Sequence, residues 1–413
     1  MRWCLRQAEV ARPGKGMTRR LRIAQACLAG IALGSLVAGV LPPRSYNKDL
    51  QEQYLSARAF RDGIDLFTPV SDLAARYFPA TTDSFPHPDP HPPVLALLSV
   101  PLTLLPFPVI VPLWLGLNLM LLTMVGRWVG LSNRASLAFA AWPPLWCLLY
   151  IGQLELLILT LALLGWRCAA AGRDGRAGWW LGLAAVLKLY PVVLLVPFAV
   201  RRRTRLLLAA GTVIALGQLA NLAMVGPAGF VRYYVDVLPG VAAFYRKLGL
   251  NSSAHGALLR VFGGADDVPP LIPVPHVVVP ATVVIALVAI VGLAVLDPEA
   301  SPVAALVGLP VVWYYYAPLA LPQILILLRS PTFRRATLLA VGATSFVLPL
   351  VNVLVRWCGT AAPPTAALLA VQPAGFLLLL ALSVAHHVSA RTPWRVHQVG
   401  LAEGDRAGQP AAP

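Results

Sequence analysis

The feature that limits this chain most is an apolar run that recurs from one end to the other. Residues 23–41 read IAQACLAGIALGSLVAGVL, and comparable stretches return at intervals as far as residue 388. A helix needs roughly 20 such residues to cross the hydrocarbon of a bilayer. A chain of 413 residues that is 58% hydrophobic, 12% charged and of mean hydropathy +0.72 has more of them than a soluble core can hold. Backbone in lipid must satisfy its own hydrogen bonds, which favours helices. The fold class expected is therefore an all-α polytopic membrane protein.

Length predicts about twelve crossings, several of them short: 21–42, 107–126, 135–150, 152–168, 177–188, 190–200, 204–225, 276–296, 302–317, 319–329, 336–354 and 365–388. Residues 92–105 are too short to cross twice and read as a re-entrant or interfacial helix in the first outward loop. The domain organisation that follows is a cytoplasmic leader (1–20, with Met17 as an alternative start), a transmembrane domain (21–390) with outward loops at 43–91 and 226–275, and a polar, disordered cytoplasmic tail (391–413).

The net charge is +16, from 33 Lys and Arg against 17 Asp and Glu. These basic residues form small groups between apolar runs, not one face, so they set topology and do not bind nucleic acid. With Arg19, Arg20 and Arg22 inside, the alternation also puts Arg127/Arg134, Arg167/Arg173/Arg176, RRRTR at 201–205, Arg329/Arg334/Arg335 and Arg391/Arg395 inside. The five cysteines, Cys4, Cys27, Cys147, Cys168 and Cys358, are scattered and have no metal-ligand spacing.

Two meeting points of short spans are polar. LLYIGQLELLIL places Gly152, Gln153 and Glu155 at an outward tip, and AAVLKLYPVVLL places Lys188 beside Tyr190 and Pro191 at another. Helices that end inside the membrane thickness need protein or a wet cavity around their irregular backbone. An intramembrane ammonium needs an anion, which here is Glu155, Asp49 or a substrate phosphate; the alternative is a lysine that snorkels from a span end.

The first outward loop adds NKDLQEQYLSARAFRDGIDLF (47–67), charged and amphipathic, directly after the first apolar run. Asp49 followed by Glu52 fits a helix-start box, and Gly63 suits a helix end. Asp49 is also the first acid after the first span, in a loop that faces the polar tips, where a carboxylate can act as a general base. Glu155 is the rival base, and Glu52, Asp62 and Asp65 are expected to be solvated or capping. FPHPDPHPPV (85–94) has too many prolines for a helix and should run extended over the site, with His87 and His91 as solvated loop histidines or proton carriers.

The order of RDGIDLF (61–67), the Pro-Pro pair entering VLALLSVPLTLLPF, GQLELLIL, GLAAVLKLYPVVLL and NSSAHGALLR (251–260) resembles family 87 of the GT-C glycosyltransferases, the actinobacterial polyprenyl-phosphate-mannose-dependent mannosyltransferases, over roughly residues 20–330. The resemblance implies a GT-C fold in the plasma membrane, with its active site on the extracytoplasmic side. It implies transfer of mannose from a polyprenyl monophosphate donor to a lipid-linked glycan or glycolipid acceptor, commonly in α-1,2 linkage. Asp49 is then the base, and Lys188 and Arg260 bind the donor phosphate. Gln153, Glu155, Tyr190, Asn251, His255, Trp313, Tyr315 and His91 are the remaining substrate-side candidates. The scheme needs no cofactor or metal, and the sequence shows no acidic pair that reads as a dedicated metal site.

Three positions depart from the family pattern. His91-Pro92-Pro93 stands where Tyr-Pro-Pro is common, Asn251-Ser252-Ser253 where Asn-Gln-Ser is common, and Tyr315 in WYYYAPLALP (313–322) where a histidine is expected. A phenol with a pKa near 10 does not accept a proton at neutral pH. His255 is a candidate to compensate. The open alternatives are an arabinofuranosyltransferase using the same kind of lipid phosphate, a lipid or sugar transporter, and a silent membrane partner.

Overall fold

A computed structural model describes residues 47–78, 84–266, 268–345 and 363–391. The leader, the first predicted span (21–42), the second half of 336–354 and the tail beyond 391 lie outside them, as do Cys4, Cys27 and Cys358. Among the described residues the architecture is helical, with a single isolated bridge between Ala265 and Val268.

The first outward segment folds as α1 (Lys48–Arg61), α2 (Val70–Tyr77) and α3 (Pro93–Ser99), the last continued by a 3-10 turn (Val100–Leu104). Residues 92–105 are thus a short apolar helix, as expected for an interfacial or re-entrant segment. Leu55 and Ala59 of α1 pack on Val70, Leu73 and Ala74 of α2, while Leu50 and Tyr54 pack on Ile110.

Next come α4 (Phe107–Trp128), α5 (Asn133–Ala138), α6 (Pro143–Ile151), α7 (Glu155–Ala170) and α8 (Asp174–Leu187). After a 3-10 turn (Tyr190–Leu195) follow α9 (Val196–Val200), α10 (Thr204–Arg232), α11 (Leu238–Lys247), α12 (Ala254–Leu258) and α13 (Val278–Val295). The remainder is α14 (Ser301–Gly308), α15 (Leu321–Arg329), a helix over 334–345 designated α16, and α17 (Pro363–Arg391).

Among the described residues, three stretches are long and apolar enough to cross a membrane: Phe107–Trp128, Thr204–Lys247 and Pro275–Val295. A fourth is the pair α6 and α7, bent by 112°. Their exposed residues are apolar, such as Val279, Val283, Leu287 and Ile290 on α13 and Leu208, Leu216 and Leu219 on α10. A helix apolar on its exposed face as well as its buried one belongs in lipid, so this is a membrane protein. Among the described residues, several of the short predicted spans, 177–188 and 319–329 among them, are short helices (α8 and α15) that pack into the interior.

Two boundaries differ from the sequence reading. The span set at 204–225 continues as helix to Lys247, so residues 226–247 are not loop; Gly226 (φ 68°) breaks the geometry and Pro227 restarts it. Proline is tolerated there because the first turn of a helix leaves its N–H unused. The span set at 302–317 is interrupted between Gly308 and Tyr314, where extended backbone turns the chain back toward α6.

The closest helix contact is α8 against α10. Gly178 and Gly182, four residues apart, let the backbones approach, and a methyl group at 182 would lie 2.8 Å from the Ala210 carbonyl and 2.9 Å from the Val213 Cβ. Small residues at this spacing are how membrane helices pack without a hydrophobic drive between them. Gly182→Val is expected to destabilise the protein by about 1–3 kcal/mol through overpacking. A thermal melt in detergent reads this, with Gly182→Ala falling between the two.

Several basic side chains converge at one end of the bundle. Arg203 pairs with Asp174 and donates to the Ala169 carbonyl at 2.9 Å, Arg201 donates to the Leu296 carbonyl at 3.0 Å, and Arg329 donates to the Val129 carbonyl. The turns between α4 and α5, between α7 and α8, and between α9 and α10 therefore share that end. The opposite ends of α7 and α8 carry Glu155 and Lys188.

Candidate active site

Four segments bring polar side chains to that opposite end. The helix α1 starts after Asn47, whose left-handed backbone (φ 53°) is tied by its N–H to the Tyr150 carbonyl at 2.8 Å. Asp49 therefore sits inside the first turn and is not the cap, and no side chain caps this helix. Gly63, by contrast, does lie just past the helix end with φ 71°.

The break between α6 and α7 supplies Gln153 and Glu155. Gly152 adopts φ 79°, and a side chain there would meet the Leu50 Cβ at 2.6 Å. Glycine thus ends α6 and lets α1 press against the break. Lys188 follows α8 in extended conformation (φ −140°, ψ 143°), which turns its side chain off the helix. Tyr315 comes from the 3-10 segment that follows the interruption after α14.

These groups form one hydrogen-bonded chain. Lys188 Nζ donates to Glu155 Oε1 at 2.5 Å and to Gln153 Oε1 at 2.9 Å. The Gln153 amide donates in turn to Asp49 Oδ2 and, at 3.1 Å, to the Tyr315 hydroxyl. Tyr315 donates to Asp49 Oδ2 at 3.2 Å. The anion that Lys188 needs is thus Glu155. Burial pushes the Asp49 carboxyl up to about 6, although Lys188 and the Gln153 hydrogen bond pull it down.

Aromatic rings wall the cluster. Tyr316 lies beneath Lys188, 5.2 Å from Nζ to the ring centroid, and stacks on Tyr190 at 5.5 Å. Trp313 stacks on Tyr315 at 6.2 Å and meets the edge of Tyr245 at 5.0 Å. The structure brings Tyr190, Trp313 and Tyr315 together around the cluster, and adds Tyr316 and Tyr245, which only their place in these aromatic contacts marks.

A second polar group lies along α1 and the proline-rich strap 84–92. Asp89 accepts from the Ser56 hydroxyl on Oδ2 at 2.7 Å and from the backbone N–H of His91 on Oδ1 at 2.9 Å, and His91 Nδ1 sits 2.7 Å from that same Oδ1. Gln53 Nε2 reaches His91 Nδ1 at 2.9 Å. Burial works against the Asp89 charge, but His91 and Ser56 hold its carboxyl below the usual carboxylate range. Glu52 is not solvated, as expected from sequence, but only 4% exposed. Burial first, then the charges of Asp89 and Asp49, push its carboxyl well above the usual range. His87 is likewise buried, not solvated, with Nε2 at 2.5 Å from the Tyr245 hydroxyl, and burial lowers its basicity. Asp62 and Asp65 bind Tyr77 and Arg232 at the surface.

Three sequence candidates make their contacts elsewhere. Asn251 uses its amide to bind the Arg246 and Pro310 carbonyls and the Ser253 and Val312 N–H groups, which ties two loops together. The buried Arg260 guanidinium donates to the carbonyls of Gly249, Asn251 and Leu369. His255 pairs with Thr282 at 3.0 Å. Neither polarity nor position in the sequence separates such scaffold groups from substrate groups.

Set beside known proteins, residues 90–322, more than half of the chain, match the model of glycosyltransferase family 87. No curated protein and no solved structure matches.

Proposed function

Because the chain belongs to glycosyltransferase family 87, we propose that it moves mannose from a polyprenyl monophosphate to a lipid-linked glycan or glycolipid at the outer face of the plasma membrane, within a GT-C fold. The observation that carries this reading is Asp49: a buried carboxylate oriented by Gln153 and Tyr315 and linked through Gln153 to the Lys188 ammonium. The acceptor oxygen attacks the anomeric carbon as the bond from that carbon to the phosphate oxygen breaks. The acceptor proton passes to Asp49, and the lipid phosphate leaves with the bonding electrons. A single displacement of this kind inverts a β donor to an α product, here taken as α-1,2. Lys188 supplies positive charge where the leaving phosphate gains negative charge.

Tyr315 has a role in this scheme despite replacing the histidine. A phenol donates where an imidazole would accept, and its hydroxyl holds Asp49 Oδ2. Glu155 is 1% exposed and engaged by Lys188, which favours Asp49, at 7%, as the base. Convergence of arginines at the far end of α7 and α8 supports an outward-facing site.

The pH dependence follows from the burial of Asp49. A base must be ionised, so kcat/KM for transfer should rise about tenfold per pH unit up to about pH 6 and level off above it. The groups facing Asp49 are Lys188, Gln153, Tyr315, Glu155, His91 and Glu52. A rate that instead falls as pH rises through this range would argue against Asp49 as the base.

The direct test is sugar transfer by the purified protein in nanodiscs, with radiolabelled polyprenyl-phosphate-mannose and a membrane lipid extract. Labelled glycolipid confirms the reaction class. Product from the arabinofuranose donor alone assigns that sugar instead, movement of lipid without product indicates a transporter, and a folded protein inert with both donors overturns the proposal.

A further inference from the structure

Glu52, Asp89 and His91 each offer a ligand atom, and the three atoms lie within 4.8 Å of one another. We propose that they hold a divalent first-row transition cation, Mn2+ or Zn2+, that clips the proline-rich strap 84–92 onto α1 below Asp49.

The observation that asks for a ligand is Glu52. Its side chain is on α1, 4% of the residue is exposed, and its buried Oε1 has no hydrogen-bond partner. A buried oxygen left without a donor forfeits its hydration with nothing in return, and more so when it carries charge. Local donors point at the other members: Ser56 to Asp89 and Gln53 to His91. The Ser56 bond goes to Asp89 Oδ2 and so orients that carboxylate from behind, with Oδ1 left toward His91 and a cation.

His91 adds a second argument. Its Nδ1 lies 2.9 Å from the Gln53 amide nitrogen and 2.7 Å from Asp89 Oδ1. One imidazole nitrogen cannot accept from the amide and donate to the carboxylate at once. A cation on Nδ1 removes that conflict: imidazole and carboxylate then sit side by side as ligands, and the Gln53 amide turns away from Nδ1. At metal–ligand bonds of about 2.1 Å, neighbouring ligand atoms are separated by roughly 3–3.5 Å, so a small inward turn of Glu52 completes the set. Two carboxylates and one imidazole suit Mn2+ or Zn2+ better than the all-oxygen preference of Ca2+ or Mg2+. The sequence reading had no metal here, since Glu52 is 37 positions from Asp89 and only the fold of the strap brings them together.

The test uses the tag-free full-length protein in detergent, stripped with a chelator. Titration with Mn2+ followed by electron paramagnetic resonance should show one bound ion per chain, with nitrogen coupling from a single imidazole and a higher thermal midpoint. Zn2+ should displace it. Glu52→Gln and Asp89→Asn should each weaken Mn2+ binding about tenfold or more. The wild-type spectrum needs no variant, so it decides even where a variant misfolds. Absence of bound Mn2+ and Zn2+ in folded wild type, an ion without nitrogen coupling, or unchanged binding in a folded Glu52→Gln protein overturns the site.

Discussion

Asp49→Asn and Asp49→Ala should each lower sugar transfer by about 10²- to 10⁴-fold, the range a positioned general base contributes. Asparagine keeps the shape, so Gln153 and Tyr315 retain a neighbour of the same size while the proton acceptor is lost. Burial strains the Asp49 charge, so Asp49→Asn should not melt earlier than wild type, whereas Asp49→Ala leaves Gln153 and Tyr315 without their acceptor and should melt somewhat earlier. Transfer measured alongside thermal melting separates the two effects. Retained activity in both folded variants would return Asp49 to a structural role and turn attention to Glu155.

The second large effect is on stability. Glu155→Gln leaves the Lys188 ammonium buried with an amide in place of a carboxylate at 2.5 Å. Removal of one member of a buried ion pair costs about 3–5 kcal/mol, whereas neutral replacement of both is often close to neutral. Glu155→Gln should therefore melt well below wild type, and Glu155→Gln with Lys188→Met should recover most of the loss. If Lys188 also stabilises the leaving phosphate, the double variant stays inactive although stable. Recovery of both properties would show that the pair is scaffold alone.

The parts of the site legible in sequence were those whose polarity is anomalous for their surroundings. Lys188, Glu155 and Gln153 stand out because lipid-facing helices have no use for them, and all three meet. Asp49 stood out by position, and the structure removes its competing reading as a cap because α1 begins one residue earlier. Burial in the outward segment was not legible: Glu52 and His87 look solvated in a charged, proline-rich stretch, and only the packing of the strap on α1 and Tyr245 encloses them. Asn251 and Arg260 look much like Gln153 and Lys188 in sequence, but their side chains bind backbone groups of the segments around residues 246–253 and 310–312 and of α17. Within the fold, apolar length located the helices, but it did not show that Pro227 restarts one, since a proline at a first helical turn and a proline in a loop look alike in sequence.

The pairing of Glu155 with Lys188 also bears on how the chain is made. The two residues sit on α7 and α8, consecutive helices joined by a short turn at the arginine end, with the charges at the open tips of the hairpin. Each alone would be costly to deliver to lipid, by at least about 2.5–3.5 kcal/mol for the lysine. Because the partners are neighbours in the chain, the hairpin can mask both charges as it leaves the translocation machinery, before any later segment is synthesised. The charged tips of the hairpin thereby need no partner from the helices that follow.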